Sequence, residues 1–146
     1  MDFFVDHILL VPIVAWTLAI LCKGIFGYIH GHFSMGQALG SGGMPSVHAA
    51  LVTSLTTALG IKHGVSSELF AIGLVFSTII IYDAINVRFE AGLHAKALNR
   101  ISKKEGDPEI VRGILNESIG HLPGEALVGS LLGIAVAILC MSLAYV

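Results

Sequence analysis

The chain has 146 residues, of which 55% are hydrophobic and 12% charged, with a mean hydropathy of +0.85. That composition excludes a soluble globule of this size and an intrinsically disordered segment, and it places the chain in lipid. A formal net charge of −2 gives no global attraction to nucleic acid or to an anionic membrane, so any phosphate-binding charge must be local, among eight Lys and Arg.

The first apolar run extends from about Ile8 to Cys22 and continues past Lys23 to Ile29, roughly the 20 residues a spanning helix needs. Lys23 can snorkel to an interface. The residues ahead of it are acidic (Asp2, Asp6) rather than basic, so the segment reads as a retained helix and not as a cleaved signal peptide. The second run, Val47 to Ile61, is short and carries Thr53, Ser54, Thr56 and Thr57, which suits a helix packed among other helices. The third, Leu69 to Ile85, is the most apolar. The fourth runs from about Ala126 to Val146, with Gly129 and Gly133 spaced for close approach of another helix. Cys22 and Cys140 both lie inside apolar runs, which does not fit a disulfide-rich secreted scaffold.

Between the third and fourth runs lies a polar stretch, Asn86 to Gly120, with Arg88, Lys96, Arg100, Lys103, Lys104 and Arg112. Leu93, Ala97, Leu98 and Ile101 recur at helical spacing and predict an amphipathic helix lying against the bundle, ending near Gly106, Asp107 and Pro108. Pro108 to Ile119 reads as another short helix. The expectation is an all-α, polytopic transmembrane helical bundle of about four spanning helices and one amphipathic interfacial helix. It forms a single integral membrane domain over residues 1–146, with a polar cytoplasmic segment at about 86–120. Placing that segment in the cytoplasm puts seven of the eight basic residues on the inner side, with Lys62 opposite and both termini outside. A multi-pass protein of the cell membrane is expected, with its site on the cytoplasmic side.

Three polar clusters fall at the ends of apolar runs, and this topology puts all three at one face of the membrane. The first is Gly42-Gly43-Met44-Pro45-Ser46-Val47-His48. Gly, Pro and Ser at a helix start leave backbone N–H groups pointing outward, a geometry that accepts a phosphate oxygen and also describes an ordinary capped helix. His48, in the first turn, is placed to donate a proton to a leaving oxygen. The second cluster, Tyr82 to Arg88, holds Asp83, costly at an interface unless paired, and Arg88 as its partner or as an anion clamp. The third is Gly120-His121-Leu122-Pro123-Gly124-Glu125. Glu125, four residues after His121, can accept a proton from one imidazole nitrogen and leave the other as a nucleophile. His7, His30, His32, His63 and His94 flank apolar runs or lie on the amphipathic helix, and read as interfacial polar residues.

At these clusters the sequence resembles the type 2 phosphatidic acid phosphatases, the superfamily of lipid phosphate phosphatases and vanadium haloperoxidases, and more closely its small divergent membrane branch. The resemblance runs from Lys23 through GGMPSVHAALVTSL and YDAINVR to GHLPGEALVGSLLG. Pro45-Ser46-x-His48 is similar to the second superfamily signature. His121-x-Pro123-x-Glu125 is similar to the third, with Glu in place of Asp. The resemblance implies that His121 attacks phosphorus, that Glu125 orients it and that His48 is the general acid, with Gly43 and Ser46 cradling the phosphate and no metal or other cofactor required. The sequence also departs from the pattern. No Arg-Pro follows Lys23 at the superfamily spacing, Leu115 replaces an Arg six residues before His121, and Asn86 stands where the divergent branch has Gly. Arg88, and after it Lys23, are the candidate replacements, with Asp83 beside them at the phosphate site.

The function expected is hydrolysis of a membrane lipid phosphate or pyrophosphate through a phosphohistidine intermediate. The alternative is a non-hydrolytic transporter or lipid- or anion-binding protein that retains the phosphate pocket. A metal site from His48, Asp83, His121 and Glu125 ranks below both, and a purely structural subunit is the remaining reading. Membrane lipid is the expected partner, nucleic acid is not, and self-association through the glycine-bearing helices is a further expectation.

Overall fold

The computed structural model describes residues 3–29, 42–105 and 115–143, and among these the secondary structure is entirely helical. A single turn, α1 (Phe3–Asp6), leads into α2 (Leu10–Ile29). Then come α3 (Val47–His63), α4 (Glu68–Tyr82), a π turn (Asp83–Val87), α5 (Arg88–Glu105) and α6 (Pro123–Ser142).

Local chemistry sets most of these boundaries. Ser46 caps α3, its hydroxyl accepting from the Ala49 amide, and Ser67 caps α4 through Phe70. Pro123 opens α6 with its backbone pre-set for a helix. At the end of α3, Gly64 takes a φ of 86° and returns its amide to the Gly60 carbonyl, so the chain reverses into α4 within a few residues.

Helices α2 and α6, and the helix that runs on from α4 into α5, are long and apolar enough to cross a membrane. The protein is a multi-pass membrane protein. Helix α3 is shorter, at 17 residues, and packs against α2, α4 and α6 at once. Its hydroxyl-rich sequence follows from that position. In lipid, apolar surfaces gain little by leaving the acyl chains for one another, so close approach and interhelical hydrogen bonds order the bundle. Thr53 donates across to the Ser130 carbonyl at 3.1 Å, and the Thr56 and Ser77 hydroxyls meet at 2.7 Å. Ser77 also reaches the Val52 carbonyl at 3.1 Å.

The packed apolar core lies at one end of the bundle, where Val11, Ala15, Ala58, Val136, Ala137, Cys140 and Met141 are buried together. Lys62 sits at this end and donates to the Val5 carbonyl at 2.6 Å. The polar clusters occupy the other end: the latter half of α2, the start of α3, the π turn and the start of α6. Lys62 thus lies at the opposite end of the bundle from Lys23 and Arg88.

Three expectations need correction. The third apolar run ends at Ile85 but the helix does not: α4, the π turn and α5 form one continuous helix. And α5 does not pack through Leu93, Ala97, Leu98 and Ile101, which are exposed. Its buried face is Gly92, Ala95 and Asn99, one ridge of a helix at three- and four-residue spacing. The reason is lateral space. The segment 115–122 runs along α5 so closely that a Cβ on Gly92 would stand 2.6 Å from the Ile119 carbonyl oxygen, an approach that glycine alone permits. Of the short helix expected over Pro108 to Ile119, residues 115–119 are non-helical and the remainder lie outside the described residues, as do His30, His32 and Arg112.

Candidate functional site

Backbone contacts between elements form the frame of the site. A π turn carries one residue more than the α ladder, which leaves a carbonyl to be satisfied from elsewhere. The His121 amide donates to the Ala84 carbonyl at 3.0 Å, tying the entry of α6 to the π turn. Gly120 makes this approach possible. Its φ of 92° suits glycine, and a Cβ there would overlap the backbone of Arg88 and Phe89.

The entry of α6 is tied to α3 as well. The Ser46 amide donates to the Glu125 carbonyl at 3.0 Å. One turn further along α6, Gly129 passes directly beneath Ser46, and Gly133 beneath Ala50 and Thr53. The two glycines singled out for close approach are therefore used within the chain, between α6 and α3.

Upon this frame His121 and Glu125 meet. The imidazole is buried, 2% exposed, and its Nδ1 lies 3.0 Å from Glu125 Oε2. The same oxygen accepts the Leu122 amide at 3.1 Å. Leu122 stands at the cap position with no side-chain acceptor of its own, so Glu125 reaches back to fill that role. One carboxylate thus caps a helix and orients a histidine. With Nδ1–H donating to it, the neutral ring carries its lone pair on Nε2.

The second histidine comes from a different helix. His48, in the first turn of α3, interacts electrostatically with Arg88, His121, Lys23 and Asp83. Lys23 approaches from α2: the side chain is 6% exposed and interacts electrostatically with Glu125. A Cβ on Gly43 would stand 3.4 Å from Lys23 Cε, so the lysine stem passes against the loop that enters α3. Gly43 itself has a φ of 88°, the second place at this end where the backbone favours glycine.

Asp83 and Arg88 pair across the π turn, Arg88 Nε donating to Asp83 Oδ2 at 2.6 Å. In an uninterrupted α-helix, positions five apart diverge by about 140° around the axis. The i to i+5 geometry of the π turn brings them together. The pair is partly exposed, and the bond through Nε leaves the terminal guanidinium nitrogens as further donors.

His121, Glu125, His48, Lys23, Arg88, Asp83 and Gly43 thus gather at one end of the bundle. Ser46 belongs to the frame: it is fully buried, its oxygen serves as the α3 cap and its amide is held by Glu125. Among the described residues, no three His, Cys, Asp or Glu side chains cluster as a metal site requires, so His48, Asp83, His121 and Glu125 do not form one. His7, in the turn before α2, and His63, the last residue of α3, lie away from the site, and His94 is exposed on α5.

Sequence reasoning missed Asn99. It is 6% exposed and binds Leu115 on both backbone groups, its Nδ2 donating to the carbonyl at 2.9 Å and its Oδ1 accepting the amide at 3.0 Å. Nδ2 also donates to Glu117 Oε1 at 2.8 Å. Asn99 anchors the distal end of the segment whose other end is His121. Its one sequence signal was an uncharged amide on a helix face otherwise small, between Ala95 and Ser102.

Fold and site together define a small polytopic helical membrane protein with a histidine–carboxylate pair and a second histidine at one end of the bundle. The chain belongs to the Divergent PAP2 family, whose family model matches residues 4–136. It is 36% identical to the uncharacterized membrane protein YuiD of Bacillus subtilis (strain 168), over 72% of each chain. No solved structure matches it.

Proposed function

We propose that this protein is an integral membrane phosphatase that hydrolyses a lipid phosphate or pyrophosphate through a phosphohistidine at His121. The observation that carries the reading is the 3.0 Å hydrogen bond between His121 Nδ1 and Glu125, at the end of the bundle where His48 enters from a separate helix.

His121 Nε2 attacks phosphorus, a P–N bond forms, and the bond from phosphorus to the lipid or diphosphate oxygen breaks. His48, protonated, gives its proton to that leaving oxygen. The P–N-bonded ring gains positive charge, which the Glu125 carboxylate stabilises through Nδ1–H. In the second half-reaction neutral His48 takes a proton from water, the oxygen attacks phosphorus, and the P–N bond breaks to release inorganic phosphate and the free imidazole. Lys23 and Arg88 supply fixed positive charge for the equatorial oxygens. The Gly43 backbone amide is a further donor. No step requires a metal ion. The site is proposed to open on the cytoplasmic side of the cell membrane, where the basic residues of the 86–120 segment would lie.

A second reading, a transporter or lipid- or anion-binding protein without hydrolysis, draws support from Arg88 being bound to Asp83 at 2.6 Å and from Leu115 in place of an arginine. Phosphate release from isoprenoid and glycerolipid phosphates and diphosphates separates the two. The phosphatase reading expects release by the purified protein that is lost in His121→Ala. Binding without turnover across the panel, unaffected by that substitution, supports the second reading instead.

A further inference from the structure

Helix α5 presents a surface that the proposed phosphatase does not use. We propose that it is a docking surface for the anionic headgroups of the membrane in which the protein sits, with its apolar ridge immersed at the acyl boundary.

Three ridges run along this helix. Gly92, Ala95 and Asn99 are buried against the 115–122 segment. Lys96, Arg100 and Lys103, spaced four and three apart, form an exposed basic ridge beside it. Beyond that, Leu93, Ala97 and Ile101 follow at four-residue intervals with Leu98 flanking them, and the three large side chains are 45%, 53% and 52% exposed for Leu93, Ile101 and Leu98. Glu90 lies at the start of the apolar ridge, next to the bundle, and His94 borders it.

Length fixes where this helix lies. From Glu68 to Val87 the continuous helix covers about 30 Å at 1.5 Å per residue, the thickness of the hydrocarbon. Helix α5 begins where lipid ends. It leaves through a π turn, one of the few features at which a long helix can bend. A helix with one apolar and one basic ridge, tethered covalently at the interface, matches an anionic lipid surface in both respects: the apolar side chains enter the acyl boundary and the basic ones meet phosphate groups. A second copy of the chain is the poorer occupant. Two α5 helices meeting through their apolar ridges in parallel would bring two basic ridges of like charge together.

The test uses the full chain in nanodiscs of phosphatidylcholine, with and without phosphatidylglycerol, and needs no assumption about catalysis. Hydrogen exchange of the backbone amides of residues 89–103 is expected to slow several-fold when phosphatidylglycerol is present, while α3 amides stay unchanged. The triple substitution Lys96→Gln, Arg100→Gln, Lys103→Gln should abolish the difference, and Lys96→Arg with Lys103→Arg should retain it. As a second measurement, a dye on Leu98→Cys, in a chain with Cys22→Ser and Cys140→Ala, should be quenched by lipids brominated in their acyl chains. Exchange indifferent to phosphatidylglycerol overturns the proposal. So does a dye that brominated lipid leaves unquenched, or protection of α5 that follows protein concentration in detergent, which would assign the surface to a second copy.

Discussion

Gly129 of α6 lies directly beneath Ser46 of α3, so close that a Cβ there would overlap the Ser46 carbonyl oxygen and stand 3.0 Å from its nitrogen and carbonyl carbon. These are backbone atoms of a capped helix start and cannot rotate away. The same few residues set the spacing between the helix that carries His48 and the one that follows His121. Gly129→Ala should therefore force α3 and α6 apart, costing about 1–3 kcal/mol as overpacking does. Thermal unfolding in detergent checks this, with Gly124→Ala, where a Cβ meets nothing within 4 Å, as the neutral comparison.

The Glu125 carboxylate accepts two hydrogen bonds, from the His121 imidazole and from the Leu122 amide, and also interacts electrostatically with Lys23. Glu125→Gln retains an oxygen able to accept the Leu122 amide but loses the negative charge opposite His121 Nδ1. Stability should change little, while phosphate release falls by roughly 10²- to 10⁴-fold, the range for groups that set a proton-transfer residue. Parallel measurement of helicity and turnover separates the effects. A variant that unfolds, or one with undiminished release, contradicts the assigned role.

Asp83 and Arg88 form a partly exposed ion pair, and such pairs contribute up to about 1 kcal/mol. Asp83→Asn should leave the melting temperature nearly unchanged. Arg88→Ala should also fold, but raise KM for the lipid phosphate, because the guanidinium is asked to meet the anion as well as Asp83. Arg88→Lys should recover only part of the loss, since an ammonium lacks the planar fork. Equal kinetics for all three variants would leave Lys23 as the phosphate's positive charge.

Asn99 holds both backbone groups of Leu115 and the Glu117 carboxylate from a buried position. Asn99→Ala leaves those groups without their partner, at a cost of about 1–3 kcal/mol. Hydrogen exchange at the Leu115 amide should accelerate markedly while amides of α3 hold. Unchanged exchange at Leu115 would mean that the segment is fixed by Gly92 and Gly120 alone.

Much of this was legible from sequence because membrane helices advertise themselves. The lengths of the apolar runs gave the bundle, and the polar residues at their ends gave the three clusters. An antiparallel path through lipid then puts alternate run ends together, so that His48 and His121 lie at the same end of the bundle although 73 positions separate them. What escaped the sequence did so for definable reasons. Leu93, Ala97, Leu98 and Ile101 mark an apolar face, and the habit learned from soluble proteins is to turn such a face inward. At an interface the inward face is instead the one that permits close backbone contact, here Gly92, Ala95 and Asn99. The π turn was invisible because Ile85 ends an apolar run without ending a helix. The opposite charges at Asp83 and Arg88, five apart, were its only trace. Ser46 reads equally well as a phosphate ligand or a cap, and its cap role depends on Ala49 and Glu125 being where they are.

The central claim is chemical, that His121 takes the phosphoryl group. The most direct measurement is rapid quenching of the purified protein with radiolabelled lipid phosphate, followed by mapping of the labelled residue by mass spectrometry. The account predicts an acid-labile phosphohistidine at residue 121, absent from His121→Ala. In His48→Ala it should form only from substrates such as aryl phosphates, whose leaving group departs without a proton. Label on another residue, or steady release of phosphate with residue 121 never modified, would contradict it.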